Sequence, residues 1–240
     1  MVERRRSIAA DPRRAVAAAV DPEGGPGEAL PGRRGQARRN DTLILEAARE
    51  VFLSDPKAPV AAVAEHAGVG ISALYRRYPS KEDLLRALAG DGLARYIAEL
   101  EAALASDADP WTAYAECLHR VVDGRSQALA QRLAGTFTPT PELTTLAQKA
   151  QHLAEKLFQH ARRSGALRSD VSAADIVLLL EMIMLVELPG RDGGAALRRR
   201  YLALLLEALH TPAEAKLPGT PARQADLVAR WRTRSAPRSG

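Results

Sequence analysis

Residues 59–85 constrain this chain more than any other stretch. Pro59 is placed to open a short helix, because its fixed φ and missing N–H suit a first helical position. Val60, Val63 and Ala64 then share one face by the i, i+3, i+4 rule. Gly68 follows where a left-handed residue ends a helix. A second short helix is expected over about Ile71 to Arg77, with Leu74 facing inward. Pro79 stops it, and Ser80 caps a third helix with Asp83 at its third position. Two helices joined by so short a glycine-bearing turn make a helix-turn-helix. Ala64 is small enough for a close approach. In this motif the second helix enters the DNA major groove.

A further helix is expected from Asn40 or Asp41 to Leu53, capped by Asn40. Its stripe of Ile44, Ala47, Ala48, Val51 and Phe52 covers the helix pair and completes a three-helix core. Residues 80–89 begin a fourth helix with Leu84, Leu85 and Leu88 inward. Composition agrees with an all-helical chain, since Ala, Leu, Arg and Glu are strong helix formers and aromatics make up 4%.

The run from Asp41 to Leu88 resembles the N-terminal domain of the TetR family of bacterial transcriptional repressors. The resemblance rests on Val51-Phe52, Val63-Ala64-Glu65-His66-Ala67-Gly68-Val69, Ala73-Leu74-Tyr75-Arg76-Arg77-Tyr78 and Ser80-Lys81-Glu82-Asp83-Leu84-Leu85. It covers about a fifth of the chain. The Leu-Tyr-x-x-Tyr-x-x-Lys-x-x-Leu run makes it far more specific than a bare helix-turn-helix. Three departures stand out. Pro59 replaces a usual Ser or Thr, Gly70 and Ile71 replace a common Ser and Lys, and Tyr78 replaces a usual Phe. The resemblance implies that Tyr75 and Lys81 contact phosphate. A plain reading of Tyr75 makes it a core aromatic instead; the phosphate role is favoured. Base reading falls to the exposed start of the second helix: Gly70, Ile71, Ser72, Ala73 and Arg76. Arg76 is the best donor for a guanine edge, the alternative being a solvated or phosphate-bound arginine. Arg77 is expected on the backbone. His66 is read as a helix-surface residue.

Charge limits how such a unit binds. The net charge is +5, yet residues 1–39 carry nine Arg against five acids and residues 211–240 carry six Lys/Arg against two. The centre, 40–210, is net negative. Residues 40–86 hold six Lys/Arg and seven acids, so the DNA unit is not electropositive as a whole. Residues 1–39 read as a disordered tail, with Arg33, Arg34, Arg38 and Arg39 as the nearest contributors to any phosphate-binding arm. Residues 211–240 read as a basic flexible tail in which 222–231 forms a short helix.

Residues 90–210 read as a second helical domain. The fourth helix is expected to run on to Leu104 through Gly90 and Gly92, which act either as a joint or as a kink. Further helices follow from Asp109-Pro110, over 127–133, from Pro141, through Ile176–Leu188, and over about 195–209. The turn at 161–175 also resembles C-terminal domains of TetR-like regulators, with Gly165 for the turn, Leu167 and Val171 as hooks and Asp175 against the helix dipole. The last two helices lack a wide polar face, so they must be buried on several sides. The resemblance implies a homodimer through about 172–188 and 195–209. Packing within one subunit is the alternative.

The family resemblance also implies a small-molecule pocket. Trp111, Tyr114, Cys117, Phe137, Gln151, Phe158 and Met182 are its candidate lining, although each is also an ordinary core residue. A buried Glu181 is expected to meet a cationic ligand or an arginine across the dimer. Catalytic and metal residues are not expected: His119, His152 and His160 lack acids at ligand spacing, and no phosphate loop exists. No cofactor is implied. The single cysteine fits a reducing cytoplasm. Arg4-Arg5-Arg6 is followed by no apolar segment, which argues against an export signal, and no run is apolar enough for a membrane span. The expectation is a DNA-binding repressor released by a ligand. A regulator controlled by a protein, or an activator, is the alternative.

Overall fold

The computed structural model describes residues 31–124, 136–186, 188, 194–210 and 216–228. Among these, the elements are α1 (Pro31–Ser54), α2 (Val60–His66), α3 (Ile71–Arg77), α4 (Lys81–Leu104), α5 (Pro110–Gly124), α6 (Pro141–Arg163), α7 (Ala173–Met184) and α8 (Ala195–Leu209). The chain is all-α, with an N-terminal helix-turn-helix unit and a larger C-terminal helical domain. The one β-type pairing described is an isolated bridge between Leu167 and His210.

The N-terminal unit is built from local signals. Gly68 adopts φ 65°, and Val69 N–H reaches back to the Ala64 carbonyl, which turns the chain sharply between α2 and α3. Leu74 is the buried residue of α3, and it meets Ile44, Ala48, Phe52 and Val63 in one core. Ser80 accepts the Asp83 N–H at 3.1 Å and starts α4 as the sequence predicts. Two boundaries move. Pro59 is the cap residue before α2, one position earlier than expected, with extended backbone at ψ 154°. The first helix begins at Pro31, not at Asn40, so Asn40 lies inside α1 instead of capping it. Pro31 is well suited to a helix start, and Gln36, Ala37, Arg38 and Arg39 are good helix formers. Residues 31–39 are thus helical where a disordered tail was expected; residues 1–30 lie outside the described ones.

α4 joins the two halves without a break. Gly90 and Gly92 leave it continuous for 24 residues. A Cβ built on Gly90 would stand 3.4 Å from Leu143 Cδ2 of α6, so the glycine lets the helices approach closely. α4 packs on α6 and α5, and α5 packs on α8. Asp109 starts α5 by accepting the N–H groups of Trp111 and Thr112, both at 3.1 Å. Thr140 caps α6 ahead of Pro141. Ser172 and Asp175 form a reciprocal capping box on α7, which gives Asp175 a second role besides its place near the helix dipole.

α7 ends at Met184, short of the predicted Leu188. Val186 N–H turns back to the Ile183 carbonyl, and the Arg198 guanidinium donates to the Val186 carbonyl at 2.8 Å. The chain beyond α8 docks on the start of α7. Ser172 Oγ donates to the Ala222 carbonyl at 2.7 Å, Ala222 N–H donates to Asp175 at 2.8 Å, and Leu227 is buried. The predicted short helix there is described over 224–228. Trp231 and the helix expected over 127–133 lie outside the described residues.

Candidate nucleic-acid interface and effector region

α3 presents a mixed outer face. Ile71, Ser72, Tyr75 and Arg76 are exposed around its single buried Leu74, and Ala73 is half-buried. Gly70 serves as its cap residue and stays exposed, without a side chain to cover the first turn. Tyr75 is 46% exposed, so the reading of it as a core aromatic fails. Arg76 is exposed, with no ion pair among the described residues.

The other two expected cations are engaged. Arg77 makes a bidentate pair with Asp41 of α1, at 2.7 and 2.8 Å, and its guanidinium lies 5.6 Å from the centre of the Tyr78 ring. The carboxylate raises the arginine pKa further, so the charge is permanent but largely neutralised. Burial pushes the Tyr78 hydroxyl pKa up as well. Lys81 is half-buried. Its ammonium donates to the Ala58 carbonyl at 2.7 Å and the Pro56 carbonyl at 3.4 Å, and stands 5.1 Å over the Phe52 ring. In this geometry Lys81 staples the α1–α2 loop to the start of α4. His66 is exposed and pairs with Glu50 at 2.6 Å, which agrees with a surface role.

Sequence reasoning missed a clasp between the two halves. Arg86 of α4 donates to the Thr138 carbonyl at 3.1 Å, and Thr138 N–H donates to Glu82 at 3.0 Å. Arg86 also pairs with Glu82 at 2.6 Å. Arg49 of α1 pairs with Asp91 of α4 at 2.5 Å, and Asp91 holds Arg95 at 3.0 Å. The only sequence signal for these contacts was charge at helical spacing, which normally marks a solvated face.

Among the described residues, most of the expected effector residues pack against one another. Tyr114 and Phe158 pack edge to face at 6.3 Å between ring centres, and both are almost fully buried. Burial drives the Tyr114 hydroxyl pKa strongly upward. Cys117 is fully buried; burial pushes its thiol up to about 11, and Sγ donates to the Glu99 carbonyl at 3.8 Å. Trp111 lies 4.8 Å from the His210 ring, which closes that end. Phe137 packs on the edge of the same core. Met182 is 65% exposed, so among the described residues it stands on the surface and outside this core. Glu181 is buried as expected and is engaged within the chain. Gln151 lies with Gln148, His152, Glu155 and Gln224 along an open surface cleft of about 440 Å³, a polar setting unlike an apolar ligand cavity.

Among the described residues no three His, Cys, Asp or Glu side chains gather at metal-binding distance, and no helix is long and apolar enough to cross a membrane.

Two family models match along the chain. Residues 44–88 match "Bacterial regulatory proteins, tetR family", and residues 109–211 match "Transcriptional regulator SbtR-like, C-terminal domain". The HTH-type transcriptional repressor LfrR of Mycolicibacterium smegmatis is 38% identical over 92 residues. That stretch is 38% of this chain and 46% of the relative, so the match spans about half the relative's length. The crystal structure of the TetR transcriptional regulator SCO0520 from Streptomyces coelicolor superposes with a TM-score of 0.53 at 29% identity, covering 72% of this chain and 99% of that one. The structure of LfrR from Mycobacterium smegmatis in complex with proflavine gives 0.54 at 23% identity, covering 75% and 99%, a likeness of fold.

Proposed function

Because the chain belongs to the TetR family, whose members are DNA-binding transcriptional regulators and not enzymes, we propose that it is a homodimeric repressor that occupies a palindromic operator and leaves it when a small molecule binds. The observation that carries the dimer is the uncovered apolar face of α7 and α8. Met182, Leu185, Tyr201 and Leu204 are exposed by 65, 69, 40 and 58%. Monomers rarely leave such a patch in water. A second copy laid on it by a two-fold axis sets two α3 helices against half-sites about 34–36 Å apart.

On each half-site, Arg76 reads a base edge, Ile71 and Ala73 meet thymine methyls, and Gly70 and Ser72 let the backbone come close to the groove. Tyr75 donates its hydroxyl to phosphate. Arg77 reaches the backbone only through the guanidinium edge that Asp41 leaves open. The repressor role and the small-molecule release are supported by the named repressor relative and by the proflavine-bound structure of like fold. A regulator without a small-molecule effector, protein-controlled or activating, is favoured by one observation: Tyr114, Cys117 and Phe158 fill the centre of the second domain.

Footprinting on DNA beside the protein's own gene tests the DNA role and should give a palindromic protected site. Light scattering should give a dimer, and Leu185→Glu with Leu204→Glu should give a folded monomer that no longer footprints. A wild-type monomer at micromolar concentration would sink the mechanism. A thermal-shift screen of small molecules separates the two readings, because a ligand that binds the native state raises Tm by mass action.

A further inference from the structure

We infer that Asp41 is a specificity-determining residue: by clasping Arg77 it withholds that cation from DNA in general and leaves one guanidinium edge for a phosphate of the right site. This rests on the reading of the protein as a DNA-binding repressor and names a group that sets how strongly it prefers its operator.

The first observation is a contrast within one helical turn. Arg76 and Arg77 are neighbours at the C-terminal end of α3, and both are exposed. Arg76 has no ion pair among the described residues. Arg77 donates from Nε and Nη2 to the two carboxylate oxygens of Asp41, at 2.7 and 2.8 Å. The acid comes from α1, outside the helix-turn-helix pair itself. A side-on grip of this kind fixes the plane of the guanidinium as well as its position.

The second observation is the charge around it. A duplex of any sequence attracts a protein through the cations it offers to phosphates, because each phosphate neutralised releases counterions. A phosphate that approaches Arg77 meets the Asp41 carboxylate at nearly the same distance, so attraction by one is offset by repulsion from the other. Arg77 therefore adds little to sequence-blind binding while Asp41 holds it. Its neighbours do not make up the loss. Arg49 and Arg86 pair with Asp91 and Glu82, and the Lys81 ammonium donates to the Pro56 and Ala58 carbonyls. With six Lys/Arg against seven acids over residues 40–86, one cation more or less weighs heavily. Contacts to base edges then decide where the protein stays.

The third observation is that α3 has another anchor. Leu74 is fully buried in one core with Ile44, Ala48, Phe52 and Val63. The Arg77 and Asp41 side chains are 60% and 25% exposed, and an ion pair so open to water adds little to stability. Its consequence lies in what it shows to DNA. The grip uses Nε and one hydrogen of Nη2, which leaves the Nη1 edge for a further acceptor. On the operator that fixed edge meets a phosphate already in place. On a wrong site Arg77 cannot swing to follow a displaced phosphate without breaking both bonds.

The test uses the full-length protein, a duplex that it selects from a random-sequence pool, and a scrambled duplex of the same length and composition. Asp41→Asn keeps the size of the side chain and removes its charge. Affinity for the scrambled duplex should rise roughly fivefold to tenfold at ~0.1 M salt, and its slope of log K against log salt should steepen by ~0.9, the mark of one further phosphate. Affinity for the selected duplex should rise less, so the ratio between the two falls. In an Arg77→Gln background the same substitution should change neither slope nor ratio, since Asp41 acts through Arg77. Asp41→Glu keeps the charge and should keep the wild-type slope, whatever it does to the melting temperature. A role confined to holding α1 on α3 predicts that Asp41→Asn weakens both duplexes together at the wild-type slope, and that result overturns the inference. So does a steeper slope that persists without Arg77, because Asp41 would then act as an isolated charge. A wild-type chain that selects no duplex at all removes the repressor reading itself, whereas a selected duplex with slope and ratio unaltered by Asp41→Asn removes the role of Asp41 alone.

Discussion

The two halves of this molecule are held together in different ways. In the helix-turn-helix unit, nearly every turn is fixed by a residue that does one local job: Gly68 turns left-handed, Ser80 caps α4, and Leu74 alone anchors α3. In the second domain the helices are long, and an aromatic cluster of Trp111, Tyr114 and Phe158 joins them across the core. The first half spends the outer face of α3 on presentation. Among the described residues, the second half packs Tyr114, Cys117 and Phe158 into its centre. The difference teaches that punctuation residues dictate where a chain turns, whereas volume alone decides whether an interior is packed or empty.

The largest test of this contrast is Phe158→Ala. If Phe158 is packed core, its loss should cost about 3–5 kcal/mol in chemical denaturation. A cost well under about 1 kcal/mol would mean that the ring borders a space able to relax, which would restore the pocket reading. Next is Arg76→Ala on the other half. It should cost ~1–3 kcal/mol on the selected operator and relax base preference at one position, read by binding to a panel of single-base variants. Equal weakening on all sequences would make Arg76 a phosphate contact.

Gly68→Ala probes the turn itself. A Cβ there meets no atom within 4 Å, so the whole effect is the left-handed backbone, about 1–2 kcal/mol. A neutral result would show that the α2–α3 turn is not fixed by that backbone state. The smallest effect is at acid pH. The Arg168 guanidinium beside Asp170, with the Leu217 N–H, holds the Asp170 carboxyl well below the usual carboxylate range. Its folded pKa is depressed, so its contribution is present above an unfolded value of ~3.9 and is lost as pH falls below that. Asp170→Asn should remove that contribution at neutral pH, so its denaturation midpoint should converge on the wild type as pH drops. Parallel curves would mean that the pair adds nothing to stability.

Much of the N-terminal unit was legible because its signals are short-range: Pro59, Gly68, Pro79 and Ser80 act on their own neighbours. The start of α1 was missed because Gly32 and Gly35 look like a linker, and weak propensity does not reveal that a helix is already under way. The commitments of Arg77 and Lys81 were hidden for another reason. Each partner is distant in sequence, Asp41 for one and the Pro56 and Ala58 carbonyls for the other, and a positive side chain says nothing about which acceptor reaches it first. The apolar composition of α7 and α8 was readable. Which side stays uncovered was not, because Met182 and Ile183 adjoin in sequence yet are 65% and 7% exposed.

The unbroken α4 has a mechanical consequence. Its 24 residues form a lever of ~36 Å, so a tilt of about 5° at one end sweeps the other through ~3 Å. Arg86 and Glu82 grip Thr138 near the short arm, and Asp91 ties the shaft to Arg49 further along. A displacement of the segment leading into α6, no larger than a bond length or two, would reach α3 through α1, on which α4 packs, and through the short 78–80 link. Two such levers in a dimer would change the distance between recognition helices by twice the stroke of one. The glycines at 90 and 92 do not slacken the shaft; Gly90 only brings it close enough to α6 for the load to transfer.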